Sequence, residues 1–144
     1  MQEKPLLAAI LNSQYFGVLN TVGDNQPYSS LVSFAATEDL DSLVFVTERG
    51  TRKYRNMQDN PAISLLVDNR TNRISDISEA TAVTAIGTIH EEPDNESIYR
   101  DMFLTKHPGL RRFIDSPDAA VIIVTVREYI IAGFKKTRRI ILDP

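Results

Sequence analysis

Three consecutive polar residues, Thr51, Arg52 and Lys53, could bind an anion. They follow a β-type run that ends at Thr47 and open a polar helical stretch within VFVTERGTRKYRNMQDNP, residues 44–61. Cations on the first turn of a helix oppose the macrodipole, so they lower stability unless an anion binds among them. Free backbone N–H groups, a hydroxyl and two cationic side chains together suit a phosphate dianion. The motif indicates a phosphate site, although a capped surface helix with solvated cations explains the same residues.

The elements around this motif read as consecutive β-strands with three helices among them. Apolar runs predict seven strands, over residues 15–22, 27–37, 42–47, 62–68, 80–92, 119–134 and 138–143. Helical patterns cover residues 4–14, 51–59 and 94–115. Because tight turns join successive strands, the pairing should be antiparallel. We expect a mainly β fold, an antiparallel β-barrel with peripheral helices, in a single domain over residues 1–144.

Finer expectations concern the third helix and the segments beside it. The helix should break at His107-Pro108-Gly109, with Asp94 or Asn95 as the N-terminal cap. Its apolar residues recur at helical spacing and should face the core, namely Ile98, Met102, Phe103, Leu110, Phe113 and Ile114. Residues 69–79 should form a polar loop, and the sixth strand should bend near Arg127-Glu128.

Composition and charge exclude several classes of function. The formal net charge of −3 gives no overall electrostatic footprint for nucleic acid. The longest apolar run, residues 119–124, is far shorter than the roughly 20 residues of a membrane helix. Cysteine is absent, which excludes disulfides and thiolate metal sites and fits a reducing compartment. The N-terminus is unlike a secretory signal. We therefore expect a soluble, cytoplasmic protein that binds neither nucleic acid nor membranes.

The other candidates for chemistry have ordinary explanations. His90 and His107 have no partners at metal-ligand spacing, so we expect surface or capping roles and no metal site. The basic cluster at 134–139 suits a solvated hairpin, although Arg138 and Arg139 could reach a ligand. Residues 68–73 suit a surface loop, with contact to a ligand on a partner subunit as the alternative.

Three segments together resemble the FMN-binding split β-barrel family related to pyridoxamine 5′-phosphate oxidase. They are FGVLNTVGDNQPYSSLVSF at 16–34, LVFVTERGTRKYRNMQDNPAISLLVD at 43–68 and AVTAIGTIHEE at 82–92. The most specific part is a strand, then Thr-Arg-Lys at a helix start, then Asn-Pro and another apolar strand. This resemblance implies that the expected barrel is a split barrel with FMN in a groove between two subunits.

The resemblance also implies positions for the cofactor. Thr51, Arg52 and Lys53 would grip the FMN phosphate, and the strand before the helix would line the ring or the ribityl chain. The implied contacts beyond the phosphate are Val46 and Thr47 on one strand, and Tyr28, Ser29, Ser30 and Leu31 on another. Catalytic residues are not implied, and the second subunit would make a homodimer.

The C-terminal region departs from the family's type enzyme. That enzyme carries a Trp followed by an Arg-x-His-Asp-Arg-like run, whereas this chain has no Trp and reads YIIAGFKKTRRIILD without a His. Phe134 is the aromatic residue that could stack in place of the Trp. The resemblance therefore implies the residues that bind the flavin, but not those that would recognise pyridoxamine phosphate.

Two classes of function follow from this resemblance. The first is an FMN-dependent oxidoreductase that acts on a small organic substrate, with NAD(P)H as a candidate electron donor. The second is a flavin-binding carrier, sensor or stress protein without turnover of its own. A third hypothesis keeps the fold and replaces FMN by heme or a deazaflavin; heme would ordinarily require an axial His.

Overall fold

The computed structural model describes residues 3–142, and a closed antiparallel barrel forms its centre. Its strands are β1 (Phe16–Gly23), β2 (Gln26–Ala36), β3 (Ser42–Glu48), β4 (Ala62–Asp68), β5 (Ala82–His90) and β6 (Ala119–Ala132). They pair in the order β3–β2–β1–β4–β5–β6, and β6 pairs with β3 to close the barrel. A further strand, β7 (Thr137–Ile141), pairs with β6. The predicted mainly β fold with peripheral helices is confirmed.

The barrel splits between β2 and β3. These strands pair only at Phe34–Phe45, Ala35–Val44 and Ala36–Leu43. Beyond Phe45, β3 pairs with β6 alone, and before Phe34, β2 pairs with β1 alone. The two strand ends therefore diverge, and their backbone N–H and C=O groups on the facing edges have no strand partner across the gap.

The barrel interior is an apolar core to which every barrel strand contributes. Its fully buried side chains include Leu19, Phe34, Phe45, Leu65, Val83 and Ile122. Helix α1 (Glu3–Ser13) packs against this core with Leu7, Ile10 and Leu11. This spacing of three and four residues makes the amphipathic face that the sequence predicts.

Helix α2 (Arg52–Asp59) connects β3 to β4 and packs against β1. Met57 lies in the barrel core, and the buried Asn56 amide donates to the Thr21 hydroxyl at 3.1 Å. Gly23 allows this close approach, because the Asn56 side chain occupies the space that a Cβ on residue 23 would need. The helix ends at Asp59, the predicted last residue, and Asn60 is its C-cap before Pro61.

A helical segment covers the outer face of β3 and β6. It contains α4 (Glu96–Lys106) and α5 (Arg111–Ile114), preceded by the 3₁₀ turns Pro93–Asn95 and Pro108–Leu110. The predicted break at 107–109 is confirmed, and Asn95 is the cap of α4 without a side-chain hydrogen bond. The prediction for Ile98 is wrong: its side chain is exposed, because only the other apolar side chains of the segment face β3 and β6.

Two other segments differ in detail from the expectations. The region 69–79 contains a short helix, α3 (Asp76–Glu79), since the Asp76 carboxylate accepts hydrogen bonds from the Thr71, Asn72 and Arg73 backbones. The sixth strand is irregular near Arg127-Glu128, where the sequence predicts a bend. Its irregularity is a bulge, where Ile86 pairs with Glu128 and Gly87 with Val126, so that Arg127 is the extra residue.

Residues 1–2 and 143–144 lie outside the described part of the chain, including Asp143 at the end of the last predicted strand. None of the helices within residues 3–142 has the length and apolar character needed to cross a membrane.

Candidate functional site

A cleft of about 330 Å³ lies where β2 and β3 diverge. One wall is formed by Leu31–Ser33 of β2, and the opposite wall by Val46–Glu48 of β3. Thr51 and Lys53, at the start of α2, lie at one end of the cleft. Three apolar side chains of the helical segment complete the lining: Phe103, Leu110 and Phe113. The cleft thus combines apolar walls, free strand edges and a polar end, which is typical of a small-molecule site.

Thr51 joins β3 to α2 as the N-cap of the helix. Its hydroxyl donates to the Glu48 carbonyl at 2.7 Å and accepts from the Tyr54 backbone N–H at 3.4 Å. The Thr47 hydroxyl lies 3.2 Å from the Thr51 hydroxyl oxygen. These bonds fix the direction in which α2 leaves the strand, so its first turn points at the end of the cleft.

The first turn of α2 has positive charge without an internal counter-charge. The backbone N–H groups of Arg52 and Lys53 precede the first intrahelical bond and have no acceptor among residues 3–142. Within the same described range, no carboxylate forms an ion pair with either side chain. The first turn of α2 therefore has free N–H donors and cationic side chains without a carboxylate partner in the described chain. This is the combination from which the sequence predicts an anion site.

The two cations differ in position. Lys53 lines the cleft, whereas the Arg52 guanidinium carbon lies 4.4 Å from the centre of the Tyr28 ring. This cation–π contact connects α2 to β2 and restricts the arginine side chain. Tyr28 thus contacts Arg52 rather than the cleft itself.

Only some of the remaining predicted residues reach the cleft. Leu31, Val46 and Thr47 line the cleft. The Ser29 hydroxyl donates to Asn20 at 2.7 Å on the outer face of the barrel. The Ser30 hydroxyl oxygen is buried and has no hydrogen-bond partner within the described chain. Of the nine predicted residues, the structure brings Leu31, Val46, Thr47, Thr51 and Lys53 to the cleft lining.

Sequence reasoning missed six residues of the lining. Val32, Ser33 and Glu48 are neighbours of predicted strand residues. Phe103, Leu110 and Phe113 were predicted only as core-facing positions of the third helix. Their helical spacing shows that they pack against something, but it does not show that they reach the split in the barrel.

The turn before α2 is connected to other elements through charged groups. The Arg49 guanidinium donates to Glu91 at 3.0 Å and to the Ala119 carbonyl at 2.7 Å. The Tyr54 hydroxyl donates to the other Glu91 oxygen at 2.9 Å. Partial burial and this carboxylate raise the pKa of the Tyr54 phenol.

The histidines lie elsewhere. His107 is the C-cap of α4, so the capping alternative is confirmed for it, and with 8% exposure its side chain does not lie at the surface. Its Nε2 lies 2.7 Å from the Phe34 carbonyl, and its ring packs against Phe103. Burial lowers its pKa. His90 lies 3.6 Å from Glu92. Neither imidazole lines the cleft, and residues 3–142 contain no cluster of metal-ligating side chains.

The basic hairpin is largely occupied by internal contacts. Arg139 pairs with Glu128 at 2.7 Å, and Arg138 lies 3.8 Å from Glu3. Phe134, at the tip of the hairpin, is exposed. None of these residues lines the cleft of the single chain.

A family model described as pyridoxamine 5′-phosphate oxidase matches residues 4–131. This chain belongs to the pyridoxamine 5′-phosphate oxidase family. The match includes β1 to β5 and β6 as far as Ile131, so the resemblance inferred from the sequence is confirmed. No curated protein matches the sequence.

Solved structures of similar fold include proteins with different described ligands. A heme-binding protein from Mycobacterium smegmatis has 19% identity and a TM-score of 0.82, with 92% of this chain and 55% of that protein covered. This chain thus spans about half of that protein's length. A FAD-binding protein from Mesorhizobium loti has 19% identity and a TM-score of 0.70, with 94% and 91% covered.

A third similar structure is General Stress Protein 26 from Bacillus anthracis. It has 19% identity and a TM-score of 0.71, and the match covers 97% of this chain and all 100% of that protein. At these identities the likeness shows the fold alone. The oxidase family's fold therefore occurs in proteins described as binding flavin or heme, and the choice of ligand in this chain depends on its own cleft.

Proposed function

We propose that this protein binds FMN in the cleft between β2 and β3. The observation that carries the proposal is the junction of the barrel split with the α2 N-terminus. There, apolar walls and unpaired strand edges meet Thr51, Lys53 and two free backbone N–H groups. A flat, largely apolar ring joined to a phosphate dianion matches both ends of such a cleft.

The residues of the cleft fit the parts of FMN. The phosphate would bind at Thr51, Arg52 and Lys53, where positive charge has no carboxylate partner within the described chain. The strand edges at Val46, Thr47 and Leu31 would offer backbone groups and apolar surface to the ring and ribityl chain. The contacts implied for Tyr28, Ser29 and Ser30 would come from beside this wall: the buried Ser30 hydroxyl has no partner within residues 3–142, whereas Tyr28 contacts Arg52 and Ser29 bonds to Asn20.

A second copy of the chain would complete the site as a homodimer. Leu31, 68% exposed, lines the cleft and also a neighbouring depression on the outer face of β1 and β4. Tyr15 and Phe16 also line that depression and are exposed, and Arg70 and Asn72 of the β4–β5 loop border it. Exposed aromatic and aliphatic side chains beside an open ligand cleft are suited to a symmetric partner.

The proposed activity is that of a flavin-dependent oxidoreductase acting on a small organic substrate. Bound FMN would supply hydride or electron transfer. The protein would bind the phosphate, orient the ring against β3 and exclude water with Phe103 and Phe113. Glu48 and Lys53 are the titratable residues of the described lining. This favours a transfer that needs no acid or base from the protein, with NAD(P)H as candidate electron donor in a cytoplasmic setting.

The same scarcity of titratable groups favours a second candidate, a flavin-binding carrier, sensor or stress protein without turnover. Steady NAD(P)H oxidation in the presence of added acceptors distinguishes the two functions. Heme is less well supported, because His107 is engaged with Phe34 and His90 lies outside the lining. A deazaflavin cofactor would use the same phosphate contacts and would therefore compete with FMN in a binding assay.

The deciding experiment is a titration of the purified protein with FMN, followed by flavin absorbance and fluorescence. We expect saturable binding in the wild type. The double variant Arg52→Ala, Lys53→Ala should lose about 2 kcal/mol or more of FMN binding, roughly thirtyfold, because charge-assisted contacts are removed.

The matched control is Arg111→Ala, Arg112→Ala, which removes two exposed cations outside the lining. Equal FMN affinity in the wild type and the Arg52, Lys53 double variant would contradict the phosphate assignment. No binding of FMN by the wild type would contradict the proposed function itself.

A further inference from the structure

Glu91 connects two parts of the segment that carries the phosphate-binding residues. It follows the end of β5, and each of its carboxylate oxygens accepts one hydrogen bond. Arg49 donates to Oε1 at 3.0 Å from the turn before α2, and Tyr54 donates to Oε2 at 2.9 Å from the helix itself. Residues 49 and 54 flank the Thr51–Lys53 stretch on both sides, so one carboxylate bridges the whole first turn.

The same turn is bound to β6 by a second set of contacts. The Arg49 guanidinium also donates to the Ala119 carbonyl at 2.7 Å, and its backbone N–H donates to the Asp118 carbonyl at 2.9 Å. The Gly50 N–H lies 3.3 Å from the Asp118 carboxylate. Arg49 therefore connects Glu91 to the start of β6, and Tyr54 connects the same carboxylate to α2.

We propose that Glu91 is a positioning residue for the phosphate end of the cleft, acting through Arg49 and Tyr54. This inference rests on the proposed function of the cleft. Glu91 itself does not line the cleft. By fixing Arg49 before the turn and Tyr54 one position after Lys53, it sets the direction of the first turn of α2. The free N–H groups, the Thr51 hydroxyl and Lys53 then point at one place.

The direction in which FMN affinity changes when Glu91 is neutralised distinguishes a positioning role from a purely electrostatic one. A carboxylate near a phosphate site repels the phosphate, so neutralising it should strengthen anion binding if charge alone mattered. Loss of positioning predicts the opposite, since misaligned donors bind the phosphate less well. Glu92, the next residue, has the same charge and pairs with His90 instead. The Glu92→Gln variant is therefore a control for the loss of one negative charge.

The experiment compares two ligands that differ only in the phosphate. Dissociation constants for FMN and riboflavin are measured for the wild type and for Glu91→Gln, Tyr54→Phe and Glu92→Gln. We expect the FMN constant to rise roughly threefold to tenfold in Glu91→Gln and by a smaller factor in Tyr54→Phe. Riboflavin affinity should stay within about twofold of the wild type in both variants, because riboflavin makes no phosphate contact. Glu92→Gln should leave the ratio of the two constants unchanged or bind FMN slightly more tightly.

The outcomes are distinct. If the wild type prefers FMN over riboflavin and Glu91→Gln keeps the full preference, the positioning role is overturned while the phosphate site stands. If both ligands weaken equally in Glu91→Gln and Tyr54→Phe, Glu91 has only a general structural role, and the inference is again overturned. A wild type that binds FMN no more tightly than riboflavin overturns the phosphate assignment and the positioning role together. Tyr54→Phe, which changes no charge, keeps the test decisive if Glu91→Gln does not fold.

Discussion

His107 links the end of α4 to the barrel and should make stability depend on pH. Burial lowers its pKa in the folded protein, and its Nε2 lies 2.7 Å from the Phe34 carbonyl. The unfolded chain takes up a proton near the ordinary histidine pKa of about 6.5, while the folded protein resists it. The free energy of unfolding should therefore fall as pH drops below about 6.5, until the folded state is also protonated.

The measurement is urea unfolding of the wild type and His107→Gln between about pH 7.5 and pH 5.5. Gln keeps a donor for the Phe34 carbonyl but does not titrate, so its pH dependence should be flatter. His90→Gln is the control, because it removes a partly exposed imidazole at the end of β5. Identical slopes for the wild type and His107→Gln would contradict this account.

Local chemistry in the sequence identifies some site residues and conceals others. Thr51 and Lys53 are recognisable because a hydroxyl and a cation at a helix start have a direct electrostatic meaning. The contact between Arg52 and Tyr28 depends on the position of α2 against β2, which adjacent residues do not encode. The burial of His107 likewise depends on tertiary packing, because a polar residue before Pro108 is by itself typical of a turn.

At the scale of elements, Gly87 allows the bulge that shapes β6. A Cβ on residue 87 would collide with the backbone carbonyl oxygen of Thr125, which cannot move without disturbing the β5–β6 ladder. Gly87→Ala should therefore lower the free energy of unfolding by about 1–3 kcal/mol. The measurement is the midpoint of chemical unfolding at constant m-value.

Gly109→Ala is the matched control, because a Cβ there meets no atom within 4 Å. Equal stabilities of the two alanine variants would show that the strands rearrange around residue 87 without cost. A loss confined to Gly87→Ala would support the close backbone approach as the reason for glycine.

Strands and turns follow closely from the sequence, whereas closure of the barrel does not. The turn at Asp24-Asn25 is readable because both residues tolerate the positive φ that a two-residue hairpin needs, and both have it. The pairing of β3 with β6 joins residues about 80 positions apart, and period-two alternation is the same in an open sheet. The split between β2 and β3 depends on register, so the resemblance to a known family predicted it where residue patterns could not.

At the scale of the whole molecule, one group of exposed apolar residues lies beside the cleft, while Val22, Ile98, Phe134 and Ile141 are exposed elsewhere. Leu31, Tyr15 and Phe16 share the depression beside the cleft, and the β4–β5 loop presents Ile74 and Ile77. Backbone donors to Asp76 order that loop and lower the pKa of its carboxylate, so the loop presents its isoleucines in a defined geometry. Exposed apolar side chains next to an open cleft are groups that a symmetric dimer would bury.

Phe16→Asp tests this dimer without altering the cleft lining. The side chain is 57% exposed on the outer face of β1 and does not line the cleft. A charge in the centre of an apolar interface is left desolvated, so the variant should sediment as a monomer at micromolar concentration. Because the partner would cover the open side of the cleft, FMN affinity should fall together with the dimer.

Ile98→Asp is the matched control, since Ile98 is 65% exposed on α4, away from that depression. It should stay dimeric and bind FMN like the wild type. A wild type that sediments as one chain would contradict the shared site, and a Phe16→Asp variant that remains dimeric would place the interface elsewhere. A monomeric Phe16→Asp variant with undiminished FMN affinity would show that one chain is sufficient to bind the cofactor, because only a cleft formed entirely within one chain is independent of the partner.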